Sequence, residues 1–312
     1  MTVRCYLDMD PGIDDAVALA VALKQCDVAG ITSVAGNVEG KKTFDNTGRL
    51  LKVFGRPDVP VVPGATRPLL LFESTFAEHV HGSSGLDGYP LVGEGVKASS
   101  RLPAWQWLAA GLAAESRPVD LIATGPLTNM ARFLAAFDHD DYQQRVRAIT
   151  VMGGSLSGGN VTSTAEFNFF ADPDAADLVL GSGWPVRMVG LDVTTLAGMP
   201  TSDLARLGQQ GTAGEVLEGL LGFYAQALER IGEAVDQIYL HDAVAVAAAC
   251  HPEKFVWKKA PLRVVREGEL RGTVVEVLGQ SHARPLVEVA VDVDREWFLS
   301  FVWESLTQYK NG

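Results

Sequence analysis

The sequence predicts an α/β fold in which a mostly parallel, doubly wound sheet is covered by helices on both faces. Short runs rich in β-branched residues alternate with helical patterns through the first two thirds of the chain, and this alternation is typical of right-handed crossovers between parallel strands. A length of 312 residues with 47% hydrophobic content supplies enough apolar surface for such a core. Three later β-rich runs lie close together, which indicates a small antiparallel addition.

In the alternating part, strand-like runs each lead toward a helical pattern. The first run ends in a cluster of Asp residues, and the later runs end in Gly, Asn, Thr or Asp. The predicted order is VRCYLDM, a helix over 14–26, AGITSVAG, a helix over 43–54, VDLIATG, a helix over 127–137, VRAITVMGG, a helix over 174–180, and VRMVGLDV.

The last third of the chain is predicted to add peripheral elements to this sheet. Helical patterns cover 217–230 and 243–250, and a closing helix covers 295–309. The antiparallel addition is expected from the runs LRVVREG, GTVVEVL and VEVAVDVD. Because no internal repeat, low-complexity segment or linker interrupts the chain, we expect residues 1–312 to form a single domain.

The charge balance excludes several classes of partner. The chain has 26 Lys and Arg against 38 Asp and Glu, a formal net charge of -12, so its field repels nucleic acid and anionic membranes. The three cysteines lack metal-ligand spacing, which indicates reduced thiols in a protein core. No apolar run approaches the roughly 20 residues of a membrane helix, and the first residues lack the pattern of a leader. We therefore expect a soluble, cytoplasmic protein.

The stretch DMDPGIDD gathers the carboxylates of Asp8, Asp10, Asp14 and Asp15 around a tight turn after the first predicted strand. Helix capping accounts for Asp14 and Asp15, because acids favour the positive N-terminal end of a helix. It does not account for Asp8 and Asp10, since carboxylates held close together repel one another unless a cation joins them. Oxygen donors without nearby His or Cys indicate a hard ion, and Ca²⁺ tolerates an irregular set of them better than Mg²⁺ does.

Other ligand-binding motifs fit the residues of this stretch less well. An EF-hand loop starting at Asp8 would need Gly and Glu where the chain has Ile13 and Leu19. A dinucleotide site would need a G-x-G-x-x-G run after the first strand, where the chain supplies one Gly. A metal-dependent phosphohydrolase of the D-x-D type stays an alternative, although the strand ends offer no cationic cradle for a phosphate.

The stretch DMDPGIDDAVAL is followed by further polar motifs in a set order. They are AGNV, HGSSGLDG, ATGPLTN, VMGG, AEFNFFADPDAA, LHDAVAV and VAVDVDRE. The first stretch resembles the D-x-D-P-G-x-D-D-A signature of the inosine-uridine preferring nucleoside hydrolase family, and the resemblance continues through the whole chain. It implies a Rossmann-like sheet that binds Ca²⁺ at its carboxyl edge and hydrolyses the N-glycosidic bond of ribonucleosides to free base and ribose.

The resemblance also implies roles for individual residues. The side chains of Asp10, Asp15 and Asp242, with the backbone carbonyl of Thr124, resemble the metal ligands of the family. Asp10 also resembles the general base that activates a metal-bound water for direct attack on the sugar. The residues that resemble the family's ribose-binding groups are Asp14, Asn37, Asn160, Glu166 and Asn168.

Two histidines resemble the family's groups around the base. His241 resembles the residue that protonates or polarises the leaving base, and His81 resembles a histidine at the base-binding end. Together they resemble the subgroup that acts on pyrimidine nucleosides and inosine. Tyr224 and Tyr239 either close over a bound base or pack on helix faces. Thr195 departs from the family, since relatives often carry His there, and this departure leaves details of base selection open.

Two further expectations concern binding and assembly. A non-catalytic nucleoside- or Ca²⁺-binding protein is an alternative, although a binder would not need a general base beside the metal ligands. The resemblance implies a small-molecule ribonucleoside as partner and a homo-oligomer, either a dimer or a tetramer.

Overall fold

The structure is a computed structural model that describes residues 2–70, 73–137, 139–142, 144–230, 232, 235–277 and 284–310. The strands are β1 (Val3–Met9), β2 (Cys26–Ser33), β3 (Val61–Pro63), β4 (Val119–Ala123), β5 (Val146–Met152), β6 (Val186–Val189), β7 (Met199–Pro200), β8 (Gln237–Ile238), β9 (Phe255–Val264), β10 (Val274–Glu276) and β11 (Leu286–Val293). The helices are α1 (Ile13–Gln25), α2 (Gly40–Val53), α3 (Glu78–His81), α4 (Ala104–Ala114), α5 (Thr128–Ala136), α6 (His139–Tyr142), α7 (Phe167–Ala171), α8 (Pro173–Leu180), α9 (Leu191–Thr194), α10 (Leu204–Leu207), α11 (Gly211–Arg230), α12 (His241–Cys250) and α13 (Arg295–Thr307).

Nine of the described strands form one sheet in the order β10-β9-β11-β6-β5-β4-β1-β2-β3. The pairs from β3 through β11 are parallel, whereas β9 is antiparallel to both β11 and β10. From β1 the chain adds β2 and β3 on one side, and it then returns to add β4, β5 and β6 on the other. The order therefore reverses between β1 and β4, which is where open α/β sheets bind ligands at their carboxyl ends.

Alternation along the strands builds a core on each face of the sheet. In β1, Cys5, Leu7 and Met9 face one core, and Tyr6 faces the other. The first core also contains residues of α1, α11, α12 and α13, and the second contains residues of α4, α5 and α8. This arrangement confirms the predicted doubly wound α/β architecture.

Helix α1 is buried on all sides between the sheet and the outer helices. Its residues from Ala16 to Ala22 are completely inaccessible, as expected for a helix that is apolar all round. It packs against α12, in which Ala and Val predominate. Small side chains let the two helix axes approach closely, so the N-terminal ends of both helices reach the same edge of the sheet.

The late strands differ from the sequence prediction in extent and in pairing. The run LRVVREG covers only the end of β9, which begins at Phe255. The antiparallel pairs are present, but β11 also pairs in parallel with β6 and so extends the main sheet. The predicted strand VRMVGLDV is also too long, because β6 ends at Val189 and Leu191–Thr194 forms helix α9. Short elements such as β3 and α3 carry too few residues for a periodic pattern, and they were not predicted.

Two further predictions concerned reduced cysteine thiols and the absence of a membrane helix. Cys5, Cys26 and Cys250 are free thiols, and the Sγ atoms of Cys26 and Cys250 lie 2.9 Å apart. Among the described residues, no helix combines the length and the apolar content that crossing a membrane requires.

Candidate active site

The switch point between β1 and β4 collects residues from four elements. Asp10 follows the last residue of β1, and Thr124 follows β4. Asp15 lies in the first turn of α1, where its Oδ2 accepts a hydrogen bond from the backbone N–H of Gly12 at 3.0 Å and thereby caps the helix. Asp242 occupies the first turn of α12.

Three buried carboxylates meet at these helix starts. Asp14, Asp15 and Asp242 each offer an oxygen atom, and these atoms all lie within 4.8 Å of one another. Asp15 repels Asp14, and both repel Asp242. Ionised carboxylates held this close are unfavourable unless protons or a cation lie among their oxygen atoms.

Asp10 lies beside this group and is equally buried. Its Oδ2 accepts a hydrogen bond from the backbone N–H of Asn37 at 2.7 Å, whereas its Oδ1 is buried without a hydrogen-bond partner among the described residues. Gly36 and Gly125 enclose the carboxylate. A Cβ atom at Gly36 would lie 2.0 Å from Asp10 Oδ2, and one at Gly125 would lie 2.5 Å from Asp10 Oδ1. The two glycines thus give the Asp10 carboxylate space that a Cβ atom at either position would take.

Burial and mutual repulsion raise the pKa values of these acids. Desolvation is the main cause at every one of the four, and repulsion from Asp15 adds to it at Asp10 and Asp14. For Asp242 the next cause is repulsion from Asp14. No Lys or Arg of the described chain forms an ion pair with Asp10, Asp14, Asp15 or Asp242.

These observations fit a divalent cation with a preference for oxygen ligands. A cation would satisfy the unpartnered Asp10 Oδ1 and offset the repulsion among the other carboxyl groups. The tightest carboxylate group nevertheless differs from the predicted ligand set, because it contains Asp14 and does not contain Asp10. The predicted fourth ligand, Thr124, lies within this region, where its hydroxyl donates to Asp15 Oδ1 at 2.8 Å.

A cavity of about 140 Å³ opens above the carboxylates. Its wall contains every residue predicted to contact the substrate, together with Thr124, Asp242 and His241, whereas Asp10 and Asp15 lie beneath the wall. The predicted substrate residues in the wall are Asp14, Asn37, His81, Asn160, Glu166 and Asn168. The structure therefore brings all of the predicted site residues to one place, and their individual roles stay predictions.

Two amide side chains of the cavity wall donate to buried acceptors around the carboxylates. Asn37 Nδ2 donates to the carbonyl of Asp10 and to Asp15 Oδ2, each at 3.1 Å. Asn168 Nδ2 donates to the carbonyls of Thr124 at 2.7 Å and Met152 at 3.1 Å. Both amides are held in a fixed orientation, since their donor hydrogens are already engaged by buried acceptors.

Glu166 combines a place in the wall with a structural contact. It caps helix α7, with Oε1 accepting from the N–H of Asn168 at 2.8 Å and Oε2 accepting from the N–H groups of Gly154 and Phe169. Desolvation raises its pKa to about 7 in spite of these hydrogen bonds. Asn160 is exposed at the cavity, and its Oδ1 accepts a hydrogen bond from Phe167 N at 3.0 Å.

The two predicted histidines occupy another part of the wall. His81 is buried and stacks on Tyr224, with ring centroids 5.7 Å apart. Its Nδ1 accepts a hydrogen bond from the backbone N–H of Ile13 at 3.0 Å, at the start of α1. Desolvation lowers the pKa of His81 to about 3 and that of His241 to about 4. Both rings are therefore neutral at physiological pH.

Several wall residues were not predicted from the sequence. Tyr224 and Tyr239 line the cavity, and Tyr224 of α11 also packs in the hydrophobic core, so both of their interpretations stay open. His79, Met152, Phe167 and Leu228 also line the cavity but carry no recognisable signal in the sequence. Phe167 could have been found from its position between Glu166 and Asn168. The others come from elements whose relative placement only the tertiary structure defines.

Comparisons with known proteins agree with this geometry. A family model described as inosine-uridine preferring nucleoside hydrolase matches residues 5–300. The pyrimidine-specific ribonucleoside hydrolase RihA of Klebsiella pneumoniae (strain 342) is 37% identical over 314 residues, covering 99% of this chain and 100% of that protein. The plant nucleoside hydrolase PpNRh1 superposes with a TM-score of 0.91 at 32% identity, covering 98% of this chain and 99% of that one. A purine-preferring ribonucleoside hydrolase from Gardnerella vaginalis gives 0.92 at 27% identity, with 99% and 100% covered.

The match extends over nearly the whole chain, and it includes the switch point, the carboxylates and the cavity. The chain belongs to the inosine-uridine preferring nucleoside hydrolase family, a family of nucleoside N-ribohydrolase enzymes.

Proposed function

We propose that this enzyme hydrolyses the N-glycosidic bond of pyrimidine ribonucleosides, and also of inosine, in a Ca²⁺-dependent reaction that yields free base and ribose. The observation that carries the proposal is one cavity whose floor holds unpaired carboxylates and whose wall holds neutral imidazoles. The pyrimidine preference of the Klebsiella relative supports the choice of base. Both pyrimidines and hypoxanthine present carbonyl oxygens, which hydrogen-bond donors in the wall can engage.

The carboxylates suit the charge that develops on the sugar. When the bond between C1′ and the base nitrogen breaks, its electron pair leaves with the base and the ribose becomes oxocarbenium-like. Buried anionic groups beneath the ring stabilise that positive charge without having to reorganise. The all-oxygen donor set of Asp10, Asp15 and Asp242 with the Thr124 carbonyl suits Ca²⁺, and the chemistry the ion would supply is a lowered pKa of a coordinated water.

Asp10 is proposed as the general base that takes a proton from the attacking water. Its Oδ1 has no protein partner among the described residues, so this oxygen is free to accept that proton or to contact the cation. The opposite oxygen is fixed by the N–H of Asn37. Direct attack by water, without a covalent intermediate, predicts α-ribose as the first product.

The wall amides and acids are proposed to hold the ribose hydroxyls. Asp14, Asn37 and Asn168 are proposed to bind the 2′- and 3′-hydroxyls, and Asn160 and Glu166 the 5′-hydroxyl; all five line the cavity. Their hydrogen bonds to protein leave part of their acceptor capacity for a ligand. A substrate without the 2′-hydroxyl would leave buried polar groups unpaired, which is costly.

The cavity disfavours phosphorylated substrates. Among the described residues that line it, none is Lys or Arg, whereas Asp14, Glu166 and Asp242 carry acidic groups. A phosphate would meet negative charge without a cationic partner. This composition also argues against the alternative of a D-x-D phosphohydrolase.

The proposal is tested by measuring ribose and base released from uridine, cytidine, inosine, adenosine and guanosine in the presence of Ca²⁺. We expect release from the two pyrimidine nucleosides and from inosine. Deoxyuridine and uridine monophosphate should react at least about 10-fold more slowly than uridine, because each loses or strains contacts in the site. Tight binding without ribose release would support the non-catalytic alternative, and phosphate release from the monophosphate would support a phosphohydrolase.

A further inference from the structure

The imidazole of His241 has one contact that the proposed reaction does not explain. Its Nδ1 lies 2.7 Å from the Oγ1 of Thr194, the last residue of α9. Thr194 is completely buried, whereas the ring of His241 is half-buried and lines the cavity. The contact therefore joins a residue of the wall to a residue behind it.

The direction of this hydrogen bond follows from the hydroxyl proton. Within the described chain, His241 Nδ1 is the one hydrogen-bond partner of Thr194 Oγ1. If Nδ1–H were the donor, the hydroxyl hydrogen of Thr194 would be buried without an acceptor, and an unsatisfied buried donor is costly. The favoured arrangement has the hydroxyl donating to Nδ1, which places the ring hydrogen of His241 on Nε2.

His81 reaches the same tautomer by a different route. Its Nδ1 faces the backbone N–H of Ile13, which can only donate, so the ring hydrogen of His81 is also on Nε2. Two wall histidines thus have their Nδ1 atoms engaged by the protein and their Nε2–H groups available as donors. The same outcome in both rings indicates that donor capacity at Nε2 is a property of this wall.

We propose that Thr194 is a positioning residue that holds His241 as an Nε2–H donor toward the departing base. The inference rests on the proposed function, because it requires that a base leaves beside His241. As the glycosidic bond breaks, its electron pair moves onto the base, and the Nε2–H hydrogen bond stabilises that charge. The donor suits bases with a carbonyl oxygen or a ring nitrogen as acceptor.

The test compares Thr194→Val with Thr194→Ser and with Thr195→Val. Valine preserves the shape of threonine but removes the hydroxyl, and serine restores it. Thr195 is a matched control on the same turn, since its Oγ1 donates to the carbonyl of Leu191 at 2.7 Å and does not contact His241. For uridine, we expect Thr194→Val to lower kcat about 10-fold or more with KM changed less than about threefold. Thr194→Ser should recover most of the activity, and Thr195→Val should match the wild type.

A second substrate separates positioning from general damage to the site. p-Nitrophenyl ribofuranoside has a leaving group that departs without a hydrogen-bond donor, so Thr194→Val should change its hydrolysis less than about threefold. An equal loss on both substrates, or no loss on uridine, would overturn the proposal.

A measurement that does not depend on turnover tests the role of Thr194 separately from the proposed function. The ¹⁵N chemical shifts of His241 should show hydrogen on Nε2 in the wild type and a mixture of tautomers in Thr194→Val. Hydrogen on Nδ1 in the wild type would overturn the positioning role. Wild-type protein that shows the Nε2–H tautomer but releases no base from any nucleoside would instead contradict the proposed function.

Discussion

The two ends of the central sheet treat their buried carboxylates in opposite ways. At the amino end, Asp120 on β4 is fully buried and receives the guanidinium of Arg147 from the neighbouring β5, with Nε 3.1 Å from Oδ1. At the carboxyl end, Asp10 and Asp15 are buried as deeply, and among the described residues neither forms an ion pair with Lys or Arg.

The chain neutralises a buried acid with its own arginine at one end, and it gathers several unpaired acids at the other. Buried charge without a partner lowers the stability of the fold, so its presence at the ligand-binding edge fits the metal ion and the cationic transition state that we propose there.

The largest effect is expected from Asp10→Asn. We expect kcat for uridine to fall about 10³-fold, because the variant lacks the proposed general base. The free energy of unfolding of the metal-free variant should not fall by more than about 1 kcal/mol, since asparagine removes a charge that burial disfavours. Steady-state kinetics and urea denaturation measure the two quantities. A variant with wild-type kcat would show that Asp10 is a structural residue.

The next effect concerns stabilisation by the metal. At a Ca²⁺ concentration of 100 times its Kd, binding should raise the free energy of unfolding of the wild type by about 2.7 kcal/mol. Asp242→Asn should lose most of this increase, because Asp242 belongs to the carboxylate group in the cavity floor. Thermal denaturation of both proteins with Ca²⁺ and with chelator measures this stabilisation.

Asp120→Asn is the matched control for the metal effect, as this acid lies at the opposite end of the sheet. Its response to Ca²⁺ should equal that of the wild type. Equal loss of the response in both variants would contradict a local metal site.

Glu166 is intermediate between Asp120, which pairs with an arginine, and the acids without an ion pair, because backbone N–H groups donate to its carboxylate. Its pKa is raised from 4.5 to about 7, so the folded state holds a proton that the unfolded state has lost between those values. This contribution to stability is complete below pH 4.5 and is lost as the pH rises through 7.

The measurement is urea denaturation of Ca²⁺-saturated wild type and Glu166→Gln at pH 5 and pH 8. The drop in unfolding free energy between these pH values should be smaller in the variant by about 2 kcal/mol. An identical drop in both proteins would show that Glu166 is already ionised at pH 5.

The smallest effect is expected from Asp120→Asn without ligands. The free energy of unfolding should fall by about 1 kcal/mol, because half-exposed Arg147 loses a charged partner but regains water. The kcat for uridine should not change, since this acid lies away from the cavity. A large loss of activity would mean that the two ends of the sheet are coupled.

Much of this architecture follows from the sequence because several residues of the candidate site directly follow the ends of strands. Because parallel strands expose their carboxyl ends at one edge of the sheet, Asp10, Asn37 and Thr124, which follow three strands, lie together. The acidic cluster of the sequence predicted Asp15 as a metal ligand, whereas Asp242 was predicted only through the family resemblance.

The rest depends on tertiary contacts that no local pattern contains. The position of Asp14 within the carboxylate group depends on how α1 packs against α12, and the cap formed by Glu166 depends on the loop around Gly154. The contact between Thr194 and His241 joins residues 47 positions apart. The parallel pairing of β11 with β6 is equally non-local, because strand direction is decided by the connection and not by the residues of the strand.

The most direct measurement is ribose release from uridine by metal-stripped protein during titration with Ca²⁺. We predict negligible activity without the ion and full recovery at one bound Ca²⁺ per chain, with Asp242→Asn requiring a much higher Ca²⁺ concentration. Stripped protein that releases ribose as fast as the loaded enzyme would contradict the claim that the unpaired carboxylates serve a cation.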